Sequence, residues 1–175
     1  MRAFLATVAL VAAVLSLRYG PVTPGVKVQG PQACAAVEFH MAPDEALDVV
    51  DTRYIASARF KIDVAASVLS SSEVIEALQE AQARGVAVRI VLEGRETSAL
   101  ARLQGLEVRF RLDGPHLSLK SYALDGLTLR TGSSNLTMSG EREDENEITV
   151  LRDAAAASRF EARFEQLWAS STPMN

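Results

Sequence analysis

The chain has 175 residues, 48% of them hydrophobic and 23% charged, the size and balance of a globular protein with one packed core. Its formal net charge of −4 at pH 7, which becomes more negative without Arg2 and Arg18, excludes a strongly basic nucleic-acid-binding surface. Cys34 is the only cysteine, so no disulfide can form within the chain. It reads as a small buried apolar residue in a strand, or as a link between two copies in an oxidising compartment.

Arg2 and the apolar run from Ala3 to Leu17, closed by Arg18, Tyr19, Gly20 and Pro21, form a targeting segment. The run falls short of the roughly 20 residues that cross a bilayer as a helix, which favours an export signal over a permanent anchor. It contains no clean Ala-x-Ala cleavage site, so retention as a tether through residues 3–17 is the alternative. Residues 1–18 are thus an export signal or N-terminal anchor, and residues 19–32, rich in Gly and Pro, are a linker. The protein is expected outside the cytoplasm, periplasmic or secreted.

Ala33 to Phe39 is a strand candidate. Pro43, Asp44 and Glu45 open a helix to about Ala58 with Leu47, Val50, Tyr54 and Ile55 on one face. Ile62 to Val68 is the next strand. Ser71 or Ser72 caps a helix from Glu73 to Arg84, in which Val74, Ala77, Leu78 and Ala81 share a face and Gly85 supplies the stop. Val86 to Leu92 is almost continuously apolar, as in a strand buried on both faces. A short helix around Thr97 to Leu103 and a strand from Leu106 to Arg111 follow.

After the turn Asp113-Gly114-Pro115, the stretches Leu117 to Leu124 and Leu127 to Thr131 flank Asp125-Gly126, a two-residue hairpin signal. Residues 136–145 read as a polar loop and Ile148 to Leu151 as a last strand. Asp153 caps a helix to about Trp168 that carries Phe160, Phe164, Leu167 and Trp168. The alternation predicts an α/β protein: a layered sheet of mixed strands with helices on both faces.

The segment His116-Leu117-Ser118-Leu119-Lys120-Ser121-Tyr122-Ala123-Leu124-Asp125-Gly126, followed by Gly132-Ser133-Ser134-Asn135, resembles the phospholipase D superfamily. That signature runs His-x-Lys-x(4)-Asp-Gly, then Gly-Ser-x-Asn after five further residues, here 127–131. Lys120, Asp125, Gly126, Gly132, Ser133 and Asn135 match it in spacing. Glu145-Asn146 is similar to the acidic-Asn pair that commonly follows. The resemblance covers residues 33–170 as one phospholipase D-like domain, and it is closest to small bacterial nucleases and phosphodiesterases with one signature copy per chain. It implies a homodimer in which two motif copies meet across a two-fold axis. One His would attack phosphorus and the other protonate the leaving group.

In physical terms the motif is a positive cradle for a phosphodiester. Lys120 is a point charge for the non-bridging oxygens, Ser133 and Asn135 donate hydrogen bonds, Glu145 lies beside them, and Asp125 orients a neighbour. Each residue alone reads more plainly: a solvated strand lysine, a hairpin turn, turn formers. Their joint spacing carries the functional reading.

The position of the attacking imidazole holds Ser118. A hydroxyl needs a base to remove its proton, and a phosphoserine ester would resist the water-driven second step. His116 lies two residues earlier, about 6.6 Å along a strand, and could enter the site only through a bulge or a slipped register. His40 reads as incidental, with lining of the pocket as the distant alternative. One Cys and two His residues at no paired spacing give no support to a metal site, and the resemblance implies neither metal nor cofactor. The expected function is phospholipase D-type hydrolysis of phospholipid or nucleic-acid phosphodiesters. The alternative is a catalytically degenerate dimeric domain, binding phosphate ligands or purely structural. Arg109 and Arg111, on one strand face, would add a local basic strip near the site.

Overall fold

The sheet is organised around two apolar segments, β2 (Lys61–Ala66) and β3 (Ala87–Glu93), which pair in parallel through an intervening helix. The computed structural model describes residues 36–94 and 100–174. The expected export segment and linker, Cys34 and residues 97–99 of the expected short helix lie outside the described residues.

Helix α2 (Ser72–Ala83) makes the crossover between β2 and β3. Ser71 caps it by accepting a hydrogen bond from Val74 N, and Val74, Ile75, Ala77, Leu78 and Ala81 are buried. Gly85, at φ +91°, reverses the chain into β3. β4 (Glu107–Arg111) extends the parallel set, and β5 (Lys120–Leu124) joins β2 on its other side in antiparallel fashion. β5 and β6 (Thr128–Gly132) form the expected hairpin. Asp125 and Gly126 both have positive φ, +54° and +69°, and Leu127 N donates to Leu124 O, as a two-residue hairpin turn requires. With β1 (Ala36–Ala42), β7 (Asn146–Arg152) and β8 (Thr172–Pro173), the order is β1-β7-β6-β5-β2-β3-β4-β8.

Helix α1 (Leu47–Ser57) and α2 pack on one face of this sheet. On the other, α4 (Ala154–Ala169) places Phe160, Phe164 and Leu167 against Ala65, Val91, Leu117 and Ala123. The α/β mixed sheet with helices on both faces is therefore as expected. Asp153 caps α4, accepting from Ala155 N at 2.7 Å and Ala156 N at 3.2 Å.

The structure departs from the sequence expectation at several places. β5 begins at Lys120 rather than Leu117, because the preceding backbone is held elsewhere: Leu117 N donates to the Glu93 carboxylate and Leu119 O accepts from Ser67 N. The expected polar loop contains a one-turn helix, α3 (Met138–Arg142), capped by Thr137, too short to show a helical period. Residues 100–105 form turns rather than a helix. β8, two residues ending in Pro173, has no alternation by which it could be seen in the sequence.

α4 covers β6, β5 and β2. Cα partners share a sheet face, and the registers Val37↔Leu151 and Leu151↔Leu129 put β1 side chains on the α4 face. There Val37, Phe39 and Met41 are 56%, 58% and 46% exposed. Among the described residues no helix is long and apolar enough to cross a membrane.

Candidate active site

The two halves of the motif are clasped by one buried side chain. Arg130, in the middle of β6, donates through Nη1 to Lys120 O (2.8 Å) and Ser134 O (3.3 Å). Its Nε and Nη2 bind both oxygens of Asp51 on α1, at 3.0 and 2.7 Å, and neither side chain has any exposure. Tyr122 completes the group by donating to Asp51 Oδ1 at 2.9 Å. Burial raises the Tyr122 phenol pKa well above its ordinary range, and the Asp51 charge adds to the effect. Burial works against the Arg130 charge, yet Asp51 holds its pKa above the ordinary value. Glu141 on α3 lies alongside. Burial, then the Asp51 carboxylate, push it up to about 9, so it is a neutral acid at pH 7.

Lys120 itself is half-buried, and its Nζ donates to Ser118 O at 3.2 Å. No carboxylate pairs with it among the described residues. Asn135 approaches the same strand end through Ser67, whose Oγ donates to Asn135 Oδ1 (2.9 Å) and whose N–H binds Leu119 O (2.9 Å). The Asn135 NH₂ group has no protein acceptor among the described residues. Ser133 turns toward β7: its Oγ donates to Asn146 Oδ1 and accepts from Glu147 N, both at 3.0 Å, while its N–H binds Glu147 Oε1 at 2.9 Å. Gly132 allows this approach, since a Cβ there would run into the Glu147 backbone.

Ser118 is exposed and lines a pocket of about 350 Å³ together with His116, Leu117 and Leu119. His116 shares this pocket because residues 116–119 lie outside the strand. Its Nδ1 is 3.0 Å from Glu93 Oε1, and its side chain is 68% exposed. Glu93 thus fixes both the imidazole and, through Leu117 N, the backbone beside it. A carboxylate holding one ring nitrogen leaves the other free for proton transfer or attack.

Asp125 faces away from this cluster. Its carboxylate accepts from the backbone N–H groups of Arg59 (3.0 Å), Phe60 (2.8 Å) and Lys61 (2.9 Å), so the neighbour it orients is the entrance to β2. Burial alone would raise its pKa, but the N–H groups of Lys61, Arg59 and Phe60 outweigh it and hold the carboxyl below the ordinary 3.8. A lowered folded-state pKa adds stability above the ordinary value, and this is lost as pH falls through the lowered one. Asp125→Ala is therefore expected to cost about 1–3 kcal/mol at pH 7. The deficit relative to the parent should shrink in urea melts below about pH 4, where the free carboxyl protonates.

Glu145 is exposed and has no hydrogen bond or ion pair among the described residues, whereas its neighbours Asn146 and Glu147 hold Ser133. His40 is engaged by Glu45 (2.7 Å) and Glu38 (3.6 Å) and does not line the pocket. Arg109 stacks over Trp168 at 4.4 Å, so of the expected basic strip only Arg111 faces the pocket. Sequence reasoning missed Asp51, Arg130, Ser67 and Glu93. The one available signal was charge inside apolar elements, as with Arg130 between Leu129 and Thr131 or Glu93 closing β3. Among the described residues, no group of three or more His, Cys, Asp or Glu side chains is placed to hold a metal.

Residues 52–168 match the family model described as cardiolipin synthase, PLD-like domain. The chain belongs to this family. Curated relatives of this PLD-like domain include the mitochondrial cardiolipin hydrolases of Chlamydomonas reinhardtii, 26% identical over 66% of this chain and 54% of that protein, and of Danio rerio, 27% identical over 70% and 57%. The PLD-like chain spans about half the length of the curated relatives it matches. Among solved structures, its fold is shared with Nuc, a phospholipase D family member from Salmonella typhimurium, at a TM-score of 0.76 and 23% identity, over 81% of this chain and 99% of that one. NucT from Helicobacter pylori gives a TM-score of 0.71 at 14% identity, over 80% and 99%.

Proposed function

We propose that the domain binds a phosphodiester of a phospholipid or nucleic acid in the Lys120–Asn135 cradle as a phospholipase D-type phosphodiesterase. Its turnover is limited by Ser118 at the attacking position. The observation that carries this is the Lys120 ammonium, without a carboxylate partner among the described residues, at a strand end that also presents the Asn135 NH₂ group. Among the described residues the ammonium has only the Ser118 carbonyl as acceptor and the Asn135 N–H groups have none, and the non-bridging oxygens of a phosphate would supply both. The Ser133 hydroxyl, engaged by Asn146, sets the loop that carries Asn135.

The missing imidazole affects chemistry more than binding. In the phospholipase D reaction a ring nitrogen attacks phosphorus, the alkoxide leaves with a proton from the second imidazole, and water then cleaves the P–N bond. At Ser118 the first step needs a base and the second meets a stable ester. The pairing of His116 with Glu93 in the same pocket favours a second reading, in which His116 is the nucleophile. The outcome for His116→Ala separates the two.

Dimerisation belongs to the same proposal. The exposed Val37, Phe39 and Met41 on the uncovered sheet face form an apolar surface that a second copy would bury, bringing two cradles into one assembly. Two measurements on one preparation test this. Isothermal titration with a soluble phosphodiester should show binding that Lys120→Ala weakens about tenfold or more, the loss of one charge-assisted contact. Sedimentation velocity should return twice the chain mass, and Phe39→Asp should halve it. Binding that ignores Lys120 would leave the motif a purely structural hairpin.

A further inference from the structure

We infer that Glu93, His116 and Ser118 form an acid–base–nucleophile set that gives the chain a further activity, the hydrolysis of carboxylic esters through an acyl-serine. The inference goes beyond the phosphodiesterase reading and needs no bound phosphodiester. It starts from Ser118, the residue that limits phosphoryl transfer. A hydroxyl at that position lacks a base to take its proton and an intermediate that water can readily break. The structure provides the first, and a carbonyl substrate provides the second.

The base is His116. It and Ser118 stand two residues apart in the irregular stretch before β5, and both line the same pocket. Both side chains are exposed, and rotamers of exposed residues exchange within picoseconds to nanoseconds. Ser118 Oγ has no hydrogen-bond partner among the described residues, so it is free to turn toward the imidazole, a contact that catalytic sets commonly close only around substrate. Glu93, at the end of β3, orients the ring. Its Oε1 is 3.0 Å from His116 Nδ1, and its Oε2 accepts from Leu117 N at 2.8 Å. With Nδ1 given to the carboxylate, Nε2 is the nitrogen left for a neighbouring hydroxyl, the arrangement by which such sets are recognised on unrelated folds.

Lys120 adds the electrostatic component. Its Nζ lies 3.2 Å from Ser118 O, which puts a positive charge beside the residue at which an oxyanion would develop. Ser118 Oγ attacks the carbonyl carbon while its proton passes to His116 Nε2, and the carbonyl π pair moves onto oxygen. Collapse of that oxyanion breaks the bond to the alkoxide, which leaves as an alcohol with the proton from Nε2. Water then gives a proton to Nε2 and its oxygen to the acyl carbon. Collapse returns the proton to Ser118 Oγ and releases the carboxylic acid. One imidazole serves both halves, so no second histidine is required. The pocket of about 350 Å³, with Leu117 and Leu119 in its wall, has room for a short acyl chain.

The test uses the full chain, p-nitrophenyl acetate as substrate and a fluorophosphonate as trap, since the phosphoserine ester it forms resists water. The parent should release p-nitrophenol with an initial burst and carry one label, located on Ser118 by peptide mass spectrometry. Ser118→Ala, at an exposed position, should remove both burst and label. His116→Ala should lower kcat and the labelling rate by about a hundredfold or more. Glu93→Gln keeps an acceptor for Leu117 N without the charge. It should lower kcat at least about tenfold with KM unchanged, which marks Glu93 as a positioning residue for the imidazole. Turnover that survives Ser118→Ala, label on any other residue, or labelling of Ser118 that His116→Ala does not slow overturns the set. The phosphodiester reading is judged separately by the Lys120→Ala titration, so either can fail while the other stands.

Discussion

Ser118→His should raise hydrolysis of a chromogenic phosphodiester by at least about a hundredfold over the parent chain, the lower end of what a positioned proton-transfer group supplies. The substitution acts twice. In a homodimer it installs an attacking nitrogen and, from the other subunit, a general acid, so both missing functions return together. The pocket has room for the ring, since Ser118 is exposed at its wall. The comparison with His116→Ala decides between mechanisms. An inert parent that gains turnover through Ser118→His establishes a retained cradle without its nucleophile. A parent that already turns over, and loses activity in His116→Ala, makes the His116–Glu93 pair the working nucleophile and its orienting carboxylate.

Asp51→Ala should cost about 3–5 kcal/mol of stability, because it leaves the fully buried Arg130 charge without its partner. Urea or thermal unfolding measures it. The double variant Asp51→Leu/Arg130→Met should recover most of the loss, since replacing a whole buried pair by apolar groups is often close to neutral. Recovery of stability is not expected to bring recovery of phosphodiester binding. Arg130 Nη1 is what joins Lys120 O to Ser134 O, and with Met the two halves of the cradle are no longer held in register. If the double variant is as stable as the parent and binds as well, the clasp has no part in positioning the site.

Glu141 adds a pH dependence to the same cluster. With its folded-state value at about 9 and an ordinary value of 4.5, the folded chain holds one proton more than the unfolded chain between those limits. Stability carried by this group therefore falls as pH rises through that window. Glu141→Gln keeps a neutral side chain of the same size, so it should be tolerated at pH 7 and should flatten the decline on the alkaline side.

Much of the fold was legible from local patterning. The apolar runs of β2 and β3, the Ser71 and Asp153 caps and the Asp125-Gly126 turn are determined by interactions among near neighbours in the chain, so they announce themselves in any window of a dozen residues. The motif was legible too, because Lys120, Asp125, Gly132, Ser133 and Asn135 stand at fixed spacing. What each does was not. Asp125 faced the backbone of residues 59–61, 64 to 66 positions away, and Arg130 found Asp51 across 79. Contacts at such separation leave no periodicity, and a carboxylate's choice of partner depends on which strands the sheet order sets side by side.

His116 shows the same division. Spacing alone put it two strand residues too far from the site. In the structure the Glu93 carboxylate takes the Leu117 N–H that a strand ladder would have used, β5 starts later, and His116 enters the pocket with Ser118. The sequence by itself therefore determined the class of fold, the hairpin and the motif whose residues are proposed to cradle a phosphate. The tertiary structure alone decided which charges are neutralised and which remain unpaired, because burial and pairing are properties of neighbours brought together by the sheet.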